Sequence, residues 1–299
     1  MFRYGCALVM AFSVVGMSLA HHKILYLIST PRSLSTIFLR AMHARDDMSI
    51  FNEPLVPVWY GDAHAVKQWY GAVYGVDMEE WCRSGVPRTS KEVVDRLLAE
   101  SELHPVFVKE QSFMVQNLLK EDDRIFNDPG ITFAMLLRNP HHSIISFYKK
   151  WGQLVDNFSE IVGYRGCYEL YHEIKKKTDK APVIVIAEEM YTNTADAMQL
   201  FCKNVGIPFL REALQWQSLG TAFDGVAEWH EVKVYERTHY WHGDAILSTG
   251  FQKPRQYEVD AEGNPTFSEI ANLDDRERCK EVYRENMYYY QRILENVGK

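Results

Sequence analysis

The sequence lacks the residue patterns of the common metal sites. Its five cysteines include no C-x-x-C pair, and no H-E-x-x-H motif occurs. These absences argue against both a zinc-finger type of site and a zincin-type catalytic site. His239 and His242 lie near Asp244 in the sequence, but they do not provide three ligands at helical spacing. We therefore expect no metal in this protein.

The sequence also lacks an excess of positive charge. The formal net charge is -7, with 24% charged residues. Proteins that bind nucleic acids usually present a basic surface, so no nucleic-acid partner is expected. A small anionic ligand is compatible with this composition if cationic side chains are concentrated at one place.

Long apolar runs are absent after residue 20, where no segment approaches the ~20 apolar residues that span a bilayer. Residues 1–20 differ, because Arg3 precedes an apolar run that ends in Ser18-Leu19-Ala20. This pattern predicts a cleavable signal peptide, with a short membrane anchor or a wrongly chosen start codon as alternatives. Membrane contact is expected only through residues 1–20. The location is exported or lumenal if the leader is real and cytoplasmic otherwise. An exported chain would allow one or two disulfides.

No linker rich in Pro, Gly or Ser interrupts the rest of the chain, so residues 21–299 are predicted to form a single domain. Short apolar runs alternate with helical patterns, which favours an α/β fold with three layers around a mostly parallel sheet. Strand-like runs lie at 23–29, 104–110, 131–140 and 181–190. Helical patterns lie at 34–44, 90–101, 141–151, 160–178, 193–205 and 274–297.

The segment after the first strand, Thr-Pro-Arg-Ser-Leu-Ser-Thr (30–36), lacks the Gly-Lys-Ser/Thr of a Walker loop. A strand, a tight turn and a helix start nevertheless follow one another here, and the amides at a helix N-terminus favour phosphate or sulfate. Arg32 can bind two anionic oxygens at once. Hydroxyls come from Ser33, Ser35 and Thr36. The alternative is an ordinary capped helix start with an exposed arginine.

A second segment repeats this arrangement. Arg138 ends a strand, Asn139-Pro140 opens a turn, and Ser146 lies in the following helix. Because ligands of parallel sheets bind at the carboxyl ends of the strands, two such corners predict a ligand with two phosphate-like ends.

With its paired loops, "TPRSLST" and "RNPHHSIISFY", the sequence resembles the sulfotransferases that use 3'-phosphoadenosine 5'-phosphosulfate (PAPS), in the bacterial-type branch with Pro-Arg-Ser. A third segment, "IAEEMYTNTADAMQLFCKNVGIPF" (186–209), is similar to an element of that family. The resemblance implies a P-loop NTPase-like fold and PAPS as co-substrate. It places Arg32, Ser33, Ser35 and Thr36 at the 5' end of the nucleotide. Arg138 and Ser146 would contact its 3'-phosphate.

The sequence departs from the family pattern in two places. Leu34 replaces a glycine that is often found in the first loop, and the C-terminal Arg-Lys-Gly motif is absent. Residues 247–255 are a candidate replacement, with a solvated turn as the alternative. The candidate groups there are Ser248, Thr249, the Gly250 amide, Lys253 and Arg255.

Sulfuryl transfer needs a base for the acceptor proton. Gln111 stands where the cytosolic branch of the family has a histidine, so two carboxylates are the candidates. Glu53 is favoured, because it follows an apolar run in a constrained turn and the resembled branch has a base at this place. Glu110 is the other candidate, unless it is a surface carboxylate that pairs with Lys109. Lys109 itself is a candidate for binding the sulfuryl group.

The predicted function is transfer of a sulfuryl group from PAPS to a hydroxyl or amine of a small molecule or carbohydrate. A P-loop phosphotransferase and a secreted, non-catalytic binding protein are the alternatives. Four aromatic residues are candidates for the acceptor pocket or, equally, for core packing: Trp229, Tyr235, Tyr240 and Trp241. The acceptor and the oligomeric state are not predicted.

Overall fold

A five-stranded parallel sheet organises the structure. The computed structural model describes residues 24–62, 87–151, 157–218, 243–245 and 247–296. The strand order is β2-β3-β1-β4-β5. In chain order the strands are β1 (Ile24–Ser29), β2 (Ser49–Asn52), β3 (Val106–Gln111), β4 (Ile131–Leu137) and β5 (Val183–Ile186).

The three central strands are buried on both faces, as their nearly continuous apolar runs predict. Ser29, the last residue of β1, is aligned with Gln111 of β3 and with Leu136 of β4. The segments that leave these three strands therefore start at the same edge of the sheet.

Eleven α-helices and one 3-10 helix lie within the described residues. The α-helices are α1 (Ser35–His43), α2 (Val56–Asp62), α3 (Ser90–Ser101), α4 (Ser112–Glu121), α5 (Arg124–Asn127), α6 (Pro140–Trp151), α7 (Phe158–Val162), α8 (Tyr164–Thr178), α9 (Ala187–Thr192), α10 (Thr194–Val205) and α11 (Leu273–Leu294). The 3-10 helix is Arg211–Leu214. No helix in this part of the chain combines the length and the apolar character needed to cross a bilayer.

Two hydrophobic cores lie on opposite faces of the sheet. On one face, side chains of β1 such as Tyr26 and Ile28 pack with α2 to α8 and α11. On the other face, their neighbours Leu25 and Leu27 pack with α1, α9 and α10. Because successive side chains of a strand point to opposite faces, one apolar run supplies both cores. The predicted three-layer α/β fold with a parallel sheet is confirmed.

Several elements differ from the sequence prediction. The helix predicted over 160–178 is two helices, since Gly163 between α7 and α8 adopts a left-handed conformation with φ 86°. The apolar run 181–190 forms only the short strand β5 before α9 begins. Helix α4, which directly follows β3, was not predicted.

Several sequence predictions fall on residues outside the described part. They concern the leader at 1–20, the histidines 239 and 242, and the four aromatic residues proposed for an acceptor pocket. Within the described residues, no group of three His, Cys, Asp or Glu side chains is placed to hold a metal. The described cysteines, Cys167, Cys202 and Cys279, are buried free thiols.

Candidate active site

The first predicted anion loop joins the central strand β1 to α1 and has an unusual backbone. Arg32 and Leu34 both have positive φ angles, 61° and 69°, although neither is glycine. Leu34 is the N-cap residue of α1 and makes no side-chain hydrogen bond to the first turn. The first-turn amides of α1 thus receive no side-chain cap from this position, which is the arrangement that suits an anion.

The two predicted anion loops are joined by reciprocal hydrogen bonds. Nε of Arg32 donates to Oγ of Ser146 on α6 at 3.0 Å. Nη1 of Arg138 donates to the backbone oxygen of Arg32, also at 3.0 Å. The structure therefore brings Arg32, Arg138 and Ser146 together at one edge of the sheet.

The second loop is held in place by its own residues. Oδ1 of Asn139 accepts a hydrogen bond from the amide of His141 at 3.0 Å, and Pro140 occupies the first position of α6, where its missing N–H costs nothing. The buried hydroxyl of Tyr164 donates to the backbone oxygen of Arg138. These contacts fix the backbone from which the Arg138 side chain projects.

Arg138 is a buried cation with unused hydrogen-bonding capacity. It is 4% exposed, and its Nε has no hydrogen-bond partner among the described residues. Burial lowers the pKa of Arg138, while the negative charge of Glu188 opposes that shift. A buried guanidinium with an unsatisfied donor is costly, and an anionic ligand would remove that cost.

The hydroxyls of the first loop are differently placed. Ser33 is fully buried and donates to the backbone oxygen of Thr30 at 2.6 Å, so its proton stabilises the turn. Ser35 is also buried, whereas Thr36 is partly exposed. The assignment of all three to the 5' end of a nucleotide remains a prediction.

The segment around Tyr257, for which the sequence predicts no role, lies near Arg138. The ring of Tyr257 lies 5.5 Å from that of His142, and Nζ of Lys149 lies 5.1 Å above it. Burial raises the pKa of Tyr257, while the positive charges of Arg138 and Arg255 lower it. No motif in the sequence marks this segment, because its position depends on packing against α6.

Positive charge is concentrated here despite the negative net charge of the chain. Burial lowers the pKa of Lys150, and the nearby Arg32 lowers it further, while Asp244 opposes the shift. Burial lowers the pKa of His142 to about 4, with Arg138 adding to the effect, so this imidazole is neutral at pH 7. Arg32 and Lys150 repel each other, and an anionic ligand would relieve that repulsion.

Glu53 follows β2 at the same edge of the sheet. It has a positive φ of 51°, and its side chain is 18% exposed. Its Oε1 accepts a hydrogen bond from Nε2 of Gln111 at 2.6 Å and forms an ion pair with the buried Lys109. Two strand spacings separate β2 from β1, so the Glu53 turn lies about 10 Å from the first loop.

Glu110 is not a surface carboxylate, and Lys109 forms its ion pair with Glu53 instead. Glu110 is 0% exposed, and its two oxygens accept the amides of Leu55 and Gln111, each at 2.8 Å. Burial raises the pKa of Glu110 to about 8, and the negative charge of Glu53 adds to the shift. A carboxylate without exposure is a poor candidate for accepting a proton from a bound substrate.

In the third candidate anion-binding segment, residues 247–255, the polar groups mainly contact other residues of the protein. Oγ of Ser248 donates to the backbone oxygen of Ala245 at 2.6 Å and accepts from Nε1 of Trp216 at 3.1 Å. Gly250 forms an antiparallel bridge with Gln215. A contact of Ser248, Thr249 or Gly250 with an anion remains a prediction.

Comparison with known proteins identifies the family. The family model described as "Sulfotransferase domain" matches residues 23–261, which include both loops, Glu53 and the segment around Tyr257. The chain belongs to the sulfotransferase-domain family. The P-loop NTPase-like fold predicted from the sequence is thereby confirmed, with the Arg32 loop directly after the central strand β1.

Individual relatives of this sulfotransferase are distant. "Branched-chain-amino-acid aminotransferase-like protein 2" of Arabidopsis thaliana is 25% identical over 259 residues, which are 85% of this chain and 40% of that protein. The chain thus spans 40% of the length of that relative. The solved sulfotransferase domain of the Synechococcus PCC 7002 olefin synthase has a TM-score of 0.43 at 15% identity, covering 87% of this chain and 94% of the other. The sulfotransferase domain from the curacin biosynthetic pathway has a TM-score of 0.41 at 17% identity, covering 64% and 76%.

Proposed function

We propose that this sulfotransferase transfers the sulfuryl group of PAPS to a hydroxyl or amine of a small molecule or carbohydrate. The observation that carries the proposal is the pair of hydrogen bonds that joins Arg32 to Ser146 and Arg138 to the backbone of Arg32. The two arginines belong to separate strand-to-helix corners, yet they lie close enough for one nucleotide to contact both.

The donor fits the chemistry of the two loops. PAPS carries a phosphosulfate at its 5' end and a phosphate at its 3' position. The Arg32 loop combines a guanidinium with the N-terminus of α1, which suits the phosphosulfate. The buried Nε of Arg138 suits the 3'-phosphate, and Lys149 and Arg255 provide further positive charge around it.

Glu53 is the proposed base. In the reaction, the acceptor oxygen or nitrogen forms a bond with sulfur while the bond from sulfur to the 5'-phosphate oxygen breaks. That oxygen keeps the electron pair and leaves as part of adenosine 3',5'-bisphosphate. The acceptor proton passes to the Glu53 carboxylate. Arg32 stabilises the negative charge that develops on the leaving phosphate.

Lys109 and Gln111 hold the base in one orientation, since both approach the same carboxylate oxygen of Glu53. Lys109 is 1% exposed, so we assign it to stabilising the Glu53 carboxylate.

The identity of the donor is tested by measuring the affinity of the purified chain for adenosine 3',5'-bisphosphate with titration calorimetry. We expect binding by the wild type and a loss of about 10- to 100-fold in Arg138→Ala, because hydrogen bonds to a charged group are removed. Arg32→Ala should bind more weakly and should also lower the transfer rate from PAPS by about 10²- to 10³-fold.

Arg292→Ala is the matched control, since Arg292 is an exposed arginine near the end of α11 that pairs with Glu295. Its affinity should equal that of the wild type. Undetectable binding of the bisphosphate by the wild type would remove PAPS as the donor. Turnover of ATP that depends on Mg²⁺ would instead indicate a phosphotransferase.

A further inference from the structure

The turn that carries Glu53 is attached to β3 from both faces of that strand. Lys109 and Gln111 project to one face of β3, and both contact the Glu53 side chain. Glu110 lies between them in sequence and therefore projects to the opposite face. From there its Oε2 accepts the backbone amide of Leu55, two residues after Glu53.

We propose that Glu110 is a positioning residue, whose carboxyl group fastens the 53–55 turn to β3 and thereby fixes the direction of the Glu53 side chain. The inference rests on the proposed role of Glu53 as the base. It assigns Glu110 no contact with either substrate.

The backbone conformation of Glu53 shows why such a fastening is needed. A non-glycine residue with φ near 51° is strained and persists only where its surroundings hold it. Backbone amides at and after the strained residue donate hydrogen bonds to β3. The amide of Glu53 donates to the oxygen of Lys109 at 2.7 Å, and the amide of Leu55 donates to Glu110 at 2.8 Å.

The residue type at position 110 also fits this role. Two amides, those of Leu55 and Gln111, point at the two oxygens of Glu110. A carboxyl group offers two acceptor oxygens, whereas a glutamine offers one oxygen and one NH₂ group. Glutamine would therefore set a donor against one of the two amides and weaken the attachment.

The charged and titratable groups around Glu110 are few within the described residues. The charges of Glu53 and Lys109 act on Glu110. Tyr26 of β1 is also near, since burial raises the pKa of Tyr26 and the charge of Glu110 raises it further. Ionisation of Glu110 thus places a negative charge close to Glu53. In the wild type, the pH profile of kcat should change slope near pH 8 for this reason.

The test compares Glu110→Gln and Glu110→Asp with the wild type in two separate measurements. The first is hydrogen exchange at the Leu55 amide, which reports on the attachment whether or not the protein transfers sulfate. We expect exchange about tenfold faster in Glu110→Gln, since an accepted hydrogen bond is lost. Glu110→Asp keeps both oxygens and should show a smaller increase.

The second measurement is the pH profile of kcat with PAPS. Glu110→Gln should lower kcat by about 10- to 100-fold, because a base displaced by 1 Å loses that much. The change of slope near pH 8 should disappear, while the affinity for adenosine 3',5'-bisphosphate stays at the wild-type value. A merely destabilised fold would instead lower the fraction of the protein that binds adenosine 3',5'-bisphosphate in parallel with kcat.

Glu100→Gln is the control, since Glu100 accepts from Oγ of Ser49 at 2.5 Å and so ties α3 to the opposite end of β2. It should leave both measurements unchanged. Unchanged exchange at Leu55 in Glu110→Gln would overturn the attachment, and faster exchange with wild-type kcat would overturn the positioning role. Absence of transfer by the wild type would refute the proposed function but would leave the exchange result valid.

Discussion

Single residues at the site hold conformations that their side chains disfavour. Arg32, Leu34 and Glu53 are all non-glycine residues with positive φ angles. Each such conformation costs about 1–3 kcal/mol and is maintained by the surrounding structure. All three lie at the carboxyl edge of the sheet, in the two turns that are proposed to bind the donor and to activate the acceptor.

Replacement of Glu53, the proposed base, should affect the reaction rate directly. Glu53→Gln should lower kcat by about 10²- to 10⁴-fold, the usual contribution of a general base. The affinity for adenosine 3',5'-bisphosphate should remain at the wild-type value, because the anion loops are unchanged. Initial rates at saturating PAPS, together with calorimetry of the bisphosphate, measure the two effects.

Glu189→Gln is the matched control, since it also converts a glutamate to a glutamine but at an exposed position on α9. It should retain the wild-type rate. A Glu53→Gln protein with wild-type kcat at all pH values would show that another group accepts the proton.

The residues of the proposed donor site are marked in the sequence, because Arg32, Arg138 and Ser146 belong to motifs with fixed places after strands. Their mutual contacts were not predictable. Ser146 bonds to Arg32, and Lys109 bonds to Glu53, across more than fifty positions of sequence. Such pairings depend on which strands become neighbours, and neither composition nor periodicity contains that information.

Among the elements, the strands were easier to predict than the helix boundaries. Buried parallel strands are recognised as continuous apolar runs. The start of α4 is harder to recognise, because α4 follows β3 without an intervening turn. Its N-cap residue, Gln111, makes no side-chain capping bond, so the usual polar start signal is absent. The side chain of Gln111 contacts Glu53 instead.

The break between α7 and α8 gives a prediction about a single element boundary. Gly163 has a φ of +86°, and a Cβ there would lie 2.5 Å from Oγ of the buried Ser112. Gly163→Ala should therefore destabilise the protein through backbone strain and through a clash that adds about 1–3 kcal/mol. Urea unfolding monitored by circular dichroism measures the loss of unfolding free energy.

Gly263→Ala is the control that measures the cost of backbone strain without a clash. Gly263 has nearly the same φ, +85°, but a Cβ there would meet nothing within 4 Å. It should cost about 1 kcal/mol. Equal losses in the two variants would show that the Ser112 side chain moves aside without cost.

For the whole molecule, the position of the site follows from the parallel sheet. The net charge is -7, yet the cationic side chains of the two anion loops meet at one edge. Helix α1 packs on one face of the sheet and α6 on the other, so the two loops belong to opposite layers. The separation of the carboxylate Glu53 from these cations would allow an acceptor to lie between the proposed base and the proposed donor.

Two buried titratable groups make the stability of the molecule depend on pH in opposite directions. The pKa of Glu110 is raised to about 8 from 4.5, chiefly by burial. Its contribution to stability is complete below pH 4.5 and is lost as the pH rises to 8. The pKa of His142 is lowered to about 4 from 6.5, again chiefly by burial. Its contribution is complete above pH 6.5 and is lost as the pH falls to 4.

The variants at these two positions should therefore respond to pH in opposite ways. The loss of unfolding free energy in Glu110→Gln should shrink as the pH rises from 4.5 to 8, because the wild type then pays to ionise a buried carboxyl group. The loss in His142→Gln should shrink as the pH falls from 6.5 to 4, where the wild type must protonate a buried imidazole. Urea titrations at several pH values measure both, with Gly263→Ala as a variant whose loss should not change. Losses that stay constant with pH at both positions would mean that neither group has a different pKa in the folded and unfolded chain.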